Sequence, residues 1–264
     1  MPNRNPKLND KPHKQQNIIR LFPNMATILG LCAGLSSLRF ALSERWEFAV
    51  TFLLIAACID AFDGRLARML NSTSVFGAQL DSLSDFVNFG VIPPIILYLW
   101  TTHGIKGWGW ALVLFFAICA AIRLARFNTN IGKNAKQPWR DRFFVGIPSP
   151  AGAGLALLPL ILTFEFGDEF LGMFLINGKS YLPLSVIAYT SLVAIGMVST
   201  LPTFSFKKLT FRPEFTSLLL AAVGMVGICF ITAPWLTLSF IFVLYIVTLP
   251  LGAYRHYRLN QNKP

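Results

Sequence analysis

Charged residues are scarce in this sequence. Lys, Arg, Asp and Glu make up 13% of its 264 residues, while hydrophobic residues make up 54% and the mean hydropathy is +0.56. A soluble domain carries about 25% charged residues, so the composition indicates an integral membrane protein. The net charge of +11 does not indicate nucleic-acid binding, because the basic residues fall in short segments between apolar runs rather than on a soluble face.

Cysteine and histidine are also few. The four cysteines lie within apolar runs, without the spacing of a metal site or of an extracellular disulfide framework, so we expect reduced packing residues. The three histidines are far apart in the chain, which argues against a histidine metal site. The cysteines are Cys32, Cys58, Cys119 and Cys229, and the histidines are His13, His103 and His256.

Long apolar runs fill most of the chain. A membrane-spanning helix needs about 20 mostly apolar residues, and the sequence predicts an all-α integral membrane protein with eight such spans. They cover roughly residues 25–42, 47–67, 80–101, 108–127, 147–166, 182–201, 214–231 and 234–253. We expect three regions: a basic segment at 1–20, a six-helix transmembrane core at 21–201, and two additional transmembrane helices with a basic tail at 202–264.

The positive charge alternates along the chain. Of the 23 Lys and Arg residues, 19 fall in every second connecting segment, and such residues collect on the cytoplasmic side of a membrane. The pattern therefore predicts that both termini and residues 60–85 face the cytoplasm, in a membrane of the bacterial inner type. The basic segments are residues 1–20, 64–70, 123–142, 207–212 and 255–264.

Four of the seven aspartates lie between Asp60 and Asp85, next to apolar runs. On helices, Asp60 and Asp63 share one face, and Gly77, Asp81 and Asp85 share another. Such residues at the end of a span can simply be solvated, but ionisable residues within membrane segments are candidates for function. An all-oxygen cluster suits hard ions such as Mg²⁺, Mn²⁺ or Ca²⁺, and two ions can clamp phosphate oxygens during phosphoryl transfer.

Two glycines and an arginine accompany these aspartates. Gly64 and Gly77 leave space for a phosphate ester to approach the backbone, and Arg68 adds a cation suited to phosphate. The full pattern reads Asp60-x-x-Asp63-Gly64-x-x-Ala67-Arg68, then eight residues, then Gly77-x-x-x-Asp81-x-x-x-Asp85.

This pattern resembles the signature of the CDP-alcohol phosphatidyltransferase family. The resemblance covers about residues 21–201 and implies a membrane enzyme that transfers a substituted phosphate from a CDP-alcohol to a hydroxyl group and releases CMP. It also implies a six-helix core, a cytoplasm-facing cavity, two Mg²⁺ or Mn²⁺ ions and a homodimer. The two spans at 214–253 lie beyond that core, and the sequence assigns them no role.

The resemblance implies a role for each matching residue. Asp85 would be the catalytic base for the acceptor hydroxyl. A short element, "PNMAT", resembles a Pro-Asn-x-x-Thr element of the family and adds two residues to the nucleotide site. The implied metal ligands are Asp60, Asp63, Asp81 and Asp85, and the implied CDP-binding residues are Asn24, Thr27, Asp60, Gly64, Arg68 and Gly77.

A second pair of segments bears on the acceptor. "RLARFNTN" and "FFVGIPSPAGAG" resemble the branch of the family whose acceptor is serine, and an arginine can bind a carboxylate with two hydrogen bonds. The same arginines could hold the lipid phosphate or anchor the chain at the membrane surface, and a serine at a helix start could be a cap. We expect an irregular helix start at 146–150. The implied acceptor or lipid-phosphate residues are Arg123, Arg126, Asn128 and Ser149.

The sequence leaves other acceptors and a transporter as alternatives. The expected substrates are CDP-diacylglycerol and serine, with membrane lipid as surroundings, but glycerol 3-phosphate, an inositol phosphate or choline could replace serine. A cation-coupled transporter would also use intramembrane carboxylates, and carriers often show repeated halves. The sequence contains no second aspartate cluster and no evident repeat, which favours the enzyme.

Overall fold

The structure, a computed structural model, is nearly all helical. It describes residues 22–69, 74–131, 143–176, 179–199, 202–204 and 216–261, so the predicted basic segment at 1–20 and the charges at 207–212 lie outside the described residues. The helices are α1 Phe22–Leu42, α2 Trp46–Met69, α3 Val75–Asp85, α4 Ile92–Trp100, α5 Trp108–Ile131, α6 Ser149–Gly172, α7 Leu182–Val198, α8 Thr216–Thr232 and α9 Pro234–Gln261.

The remaining elements are short. A π-helical segment, Phe86–Val91, joins α3 to α4 without a break, and a 3₁₀ turn, Thr102–Gly104, follows α4. The strands are β1 Phe143–Val145, β2 Leu175–Ile176, β3 Lys179–Ser180 and β4 Pro202–Phe204. They form two antiparallel pairs, β1 with β4 and β2 with β3.

Four helical segments are long and apolar enough to cross a membrane: 22–42, 75–100, 108–129 and 149–167. This confirms the prediction of an all-α membrane protein. The other four predicted spans each overlap a helix. Three of those helices contain shorter apolar stretches, at 182–198, 220–232 and 234–249, and the fourth, α2, carries several charged residues in its second half.

The third helical segment begins earlier than the predicted span 80–101. Ser74 precedes α3 in an extended conformation, and its hydroxyl accepts a 2.9 Å hydrogen bond from the amide of Gly77. This is the bonding of a helix N-cap, which satisfies an amide that has no partner within the helix. The helix therefore starts at Val75, and Asp81 lies two turns inside it.

The irregular start predicted for the fifth span is confirmed. Strand β1 pairs with β4, the chain turns at Gly146 with a φ of +78°, and α6 begins at Ser149. A Cβ at Gly146 would lie 2.7 Å from the carbonyl oxygen of Met197. Glycine therefore meets two needs here, a left-handed backbone and close contact with the end of α7.

The glycines of α1 seat it against its neighbours within the chain. A Cβ at Gly30 would touch Ile59 of α2 at 3.4 Å, and a Cβ at Gly34 would overlap the side-chain oxygen of Asn88 in the π-helical segment. Small residues permit such close approach in membrane proteins. Their use here brings the first turns of α1 towards the last turns of α2.

The buried core lies among α4, α5, α6 and α7, where Ile96, Phe116, Leu160 and Ala194 are fully buried. Large apolar side chains also cover the outer surface, and Leu192 is 68% exposed. Such a surface would be a liability in water and suits contact with lipid.

Candidate active site

Two helices carry the acidic cluster, which we define as Asp60, Asp63, Asp81 and Asp85. The first two lie in the second half of α2 and the last two lie in α3. Asp60, Asp63 and Asp81 each place one carboxylate oxygen within 4.8 Å of the others. The structure therefore brings together the aspartates that the sequence pattern grouped, on the facing sides of two consecutive helices.

Asp85 joins the cluster from the side of α3. Its carboxyl group is in hydrogen-bond contact with that of Asp60, and it interacts electrostatically with Asp63 and Asp81. The π-helical segment begins at the next residue. Such segments are rare and occur often at functional sites. Here the π-helical segment directly follows Asp85, which is the catalytic base that the family resemblance implies.

The donor set fits a hard divalent cation. Oxygen atoms that share one ion at 2.0–2.6 Å lie at most about 4–5 Å apart, which matches the spacing in the cluster. The Oδ1 atoms of Asp63 and Asp85 are buried and have no hydrogen-bond partner among the described residues. Buried carboxylate oxygens need protons, donors or cations, so a bound metal would satisfy these atoms.

Helix α1 forms the third side of the cluster. The hydroxyl of Thr27 lies 2.7 Å from Oδ2 of Asp63 and 3.0 Å from the carbonyl oxygen of Pro23. Asn24 lies beside α3, because a Cβ at Gly77 would approach its side-chain oxygen to 2.7 Å. The structure thus places both residues of the "PNMAT" element next to the aspartate pattern.

The two glycines of the pattern differ in their surroundings. A Cβ at Gly64 would meet no atom within 4 Å, so the space beside it is open, whereas Gly77 is packed against Asn24 and Ser74. The sequence interpretation assigned both glycines the same role, and the structure separates them. The backbone of Arg68 lies in α2, but its side chain is outside the described part of the structure.

Arg123 of α5 links the start of α6 to the acidic cluster. Its Nη1 donates a 2.5 Å hydrogen bond to the hydroxyl of Ser149 at the start of α6, and its guanidinium interacts electrostatically with Asp85. Ser149 is 4% exposed. The structure therefore links Arg123 and Ser149, two of the predicted acceptor-site residues, to the acidic cluster. The hydroxyl of Ser149 accepts a hydrogen bond from Arg123.

The other two predicted acceptor residues make different contacts. Nη1 of Arg126 donates a 2.7 Å hydrogen bond to the carbonyl of Val198, which ties α5 to the end of α7. Nδ2 of Asn128 donates a 3.0 Å hydrogen bond to the hydroxyl of Ser82, the neighbour of Asp81. Arg126 thus stabilises helix packing, while Asn128 touches the residue beside a cluster aspartate.

Two polar residues near the site are not among those that the sequence predicted. Asn88 lies in the π-helical segment, is 1% exposed, and donates to the carbonyl of Gly30 at 3.3 Å and to Ser84 at 3.4 Å. The sequence feature that could have identified Asn88 is its polar amide within an apolar run, three residues after Asp85. Tyr245 of α9 interacts with Arg123, and nothing in the sequence connects these residues, because they are 122 positions apart.

Two family models match this chain. The family model described as CDP-alcohol phosphatidyltransferase matches residues 20–179, and the model described as CDP-alcohol phosphatidyltransferase 2 matches residues 214–250. The first match contains the whole acidic cluster. The second covers all of α8 and part of α9, two helices whose sequence alone indicated no role.

Curated relatives that match this chain bear the name CDP-diacylglycerol–serine O-phosphatidyltransferase. The one from Mycobacterium tuberculosis is 33% identical over 91% of this chain and 81% of its own length, and the one from Helicobacter pylori is 34% identical over 88% and 90%. The one from Bacillus subtilis is 34% identical over 63% of this chain and 88% of its own length. The chain belongs to the CDP-alcohol phosphatidyltransferase family.

Proposed function

We propose that this protein transfers the phosphatidyl group of CDP-diacylglycerol to the hydroxyl of L-serine, giving phosphatidylserine and CMP. The observation that carries the proposal is the meeting of the acidic cluster with Arg123, which interacts with Asp85 and bonds to Ser149. The names of the curated relatives support serine as the acceptor.

The metal would be Mg²⁺ or Mn²⁺, and Asp60, Asp63, Asp81 and Asp85 would hold two such ions. The oxygen spacing of three aspartates and the two orphaned carboxylate oxygens support this choice. When bound, such ions supply positive charge that stabilises the diphosphate and the departing CMP. The chain itself supplies the base, the acceptor site and the nucleotide site.

Asp85 is the base. It accepts the proton of the serine hydroxyl while that oxygen forms a bond to the lipid-bearing phosphorus. The bond from this phosphorus to the CMP oxygen breaks, and CMP leaves with the electron pair. Arg123 orients the acceptor beside Asp85, and with Arg126, Asn128 and Ser149 it completes the proposed acceptor or lipid-phosphate site.

The CDP group occupies the side of the cluster that faces α1. The open space at Gly64 and the position of Asn24 beside Gly77 support this placement. Thr27 acts through Asp63, to which it is hydrogen bonded. The remaining proposed nucleotide contacts, from Asp60 and Arg68, rest on the family pattern.

The architecture consists of a six-helix core at 21–201, preceded by the basic segment 1–20 and followed by two additional transmembrane helices within 202–264. Both termini and the site face the cytoplasm in a membrane of the bacterial inner type. The bonds from Thr27 to Asp63 and from Arg123 to Ser149 join helix ends next to the basic segments, which supports this orientation. The homodimer rests on the family resemblance alone.

Purified protein with CDP-diacylglycerol and Mg²⁺ or Mn²⁺ tests the proposal when each acceptor is supplied separately. We expect phosphatidylserine and CMP with L-serine and little product with glycerol 3-phosphate, an inositol phosphate or choline. Product with another acceptor alone would refute serine but keep the reaction class. Ion transport without CMP release would instead favour the transporter.

A further inference from the structure

Tyr245 brings a phenol from α9 to the edge of the candidate active site. Its hydroxyl is buried and has no hydrogen-bond partner among the described residues, and its side chain interacts electrostatically with Arg123. A buried hydroxyl without a partner is costly. The same arginine also interacts electrostatically with Asp85, which links this orphaned hydroxyl to the acidic cluster.

The packing of α9 on α6 fixes this position. A Cβ at Gly154 of α6 would overlap the ring of Phe242, so α9 approaches α6 closely only because residue 154 is a glycine. Phe242 and Tyr245 are three residues apart and share one face of α9. The contact at Gly154 thereby fixes the part of α9 that carries Tyr245, about one turn further along, where its side chain interacts electrostatically with Arg123.

Arg123 also has an unused donor. Its Nη1 is bonded to Ser149, but its Nε is buried and has no partner in the described structure. The N–H of Arg123 Nε and the O–H of Tyr245 are thus two buried donors without partners in the described structure, on side chains that interact electrostatically. Paired donors of this kind match an anion with two oxygen atoms.

We propose that Tyr245 and Arg123 together bind the carboxylate of the acceptor amino acid. The inference rests on the proposed function, and it gives α9 a direct part in acceptor specificity. In serine only two carbon atoms separate the hydroxyl oxygen from the carboxylate carbon, so a carboxylate site must lie close to the base. Arg123 meets this condition through its interaction with Asp85. A lipid phosphate is the other anion that this pair could hold.

The test is the Tyr245→Phe variant, which removes only the hydroxyl. We expect the KM for L-serine to rise on the order of tenfold, because a hydrogen bond to a charged group is lost, while the KM for CDP-diacylglycerol stays unchanged. Serinol keeps the hydroxyl and amine of serine but lacks the carboxylate. Its KM as an acceptor, or its inhibition constant against serine, should be the same in both proteins.

Tyr189→Phe is the matched control. Its hydroxyl donates a 3.0 Å hydrogen bond to the carbonyl of Leu155, away from the acidic cluster, so its loss should leave the KM for serine unchanged. Gly154→Ala is a second variant, which keeps Tyr245 but forces Phe242 away from α6. It should also raise the KM for serine, whereas Gly224→Ala, with open space around position 224, should not.

Three results would overturn the inference. An unchanged KM for serine in Tyr245→Phe removes the hydroxyl from the site. A rise in the KM for CDP-diacylglycerol alone assigns the pair to the lipid phosphate, and equal losses with serine and serinol indicate a structural role. If Tyr245→Phe does not fold, the KM values of Gly154→Ala for serine, serinol and CDP-diacylglycerol test the inference instead. A wild-type protein inactive with serine refutes the proposed function before any variant is made, and the inference falls with it.

Discussion

Thr27 and Asp63 are joined by a 2.7 Å contact between the threonine hydroxyl and Oδ2 of the aspartate. Thr27 lies in the second turn of α1, and Asp63, which is 3% exposed, lies near the end of α2. The hydroxyl has one proton and a second acceptor within reach, the Pro23 carbonyl, and the charged oxygen is the stronger acceptor. Thr27 therefore orients a proposed metal ligand from a neighbouring helix.

Thr27→Val should weaken metal binding. Residues that orient metal ligands typically change affinity by about 10–100-fold when mutated, so we expect the Mn²⁺ concentration for half-maximal activity to rise in this range. At saturating Mn²⁺, activity should largely return. Thr51→Val is the control, because the hydroxyl of Thr51 donates a hydrogen bond to the carbonyl of Glu47 in its own helix. Equal Mn²⁺ requirements in the two variants would contradict the role of Thr27.

Asp85→Asn should remove the base but keep most of the metal site. The amide cannot accept the serine proton, so we expect kcat to fall by about 10²–10⁴-fold. Mn²⁺ should still bind, because Asp60, Asp63 and Asp81 provide the closely spaced oxygens. Binding can be followed by the Mn²⁺ electron paramagnetic resonance signal. Wild-type turnover in this variant would exclude Asp85 as the base.

Gly64→Ala separates substrate binding from folding. A Cβ at this position would meet no protein atom within 4 Å, and alanine favours a helix by up to about 1 kcal/mol over glycine. We therefore expect an unchanged or higher melting temperature together with a higher KM for CDP-diacylglycerol. An unchanged KM would show that the nucleotide does not use this space.

Gly77→Ala is the contrasting variant. Its Cβ would lie 2.7 Å from the side-chain oxygen of Asn24 and 3.1 Å from the hydroxyl of Ser74, so α1 or the start of α3 must shift. We expect a lower melting temperature in addition to weaker substrate binding. Equal thermal stability of the Gly64 and Gly77 variants would contradict the difference in packing that the structure shows.

Local patterns in the sequence predicted much of this molecule. Apolar run length located the helices, and the four-residue spacing of Gly77, Asp81 and Asp85 placed them on one face of α3. The predicted span 80–101 begins later than α3, because apolar run length does not include the polar Ser74, which caps the helix. Run length measures hydrophobicity and does not detect capping hydrogen bonds.

Contacts between distant segments were beyond sequence reasoning. The sequence selected both Arg123 and Arg126, but only the fold shows that Arg126 bonds to the end of α7 while Arg123 bonds to Ser149 and interacts with Asp85. Likewise, Tyr245 reaches the site only through the packing of Phe242 on Gly154. Such contacts depend on tertiary structure and leave no periodic pattern in one sequence.

The most direct test of the central claim is the fate of the serine hydroxyl oxygen. L-serine labelled with ¹⁸O in its hydroxyl group is supplied to the purified protein with CDP-diacylglycerol and Mn²⁺. The ¹⁸O content of the products is then measured by mass spectrometry. Attack of this oxygen on the lipid-bearing phosphorus predicts labelled phosphatidylserine and unlabelled CMP in equal amounts. Unlabelled phosphatidylserine, label in a CMP product, or no lipid product would contradict the proposed reaction.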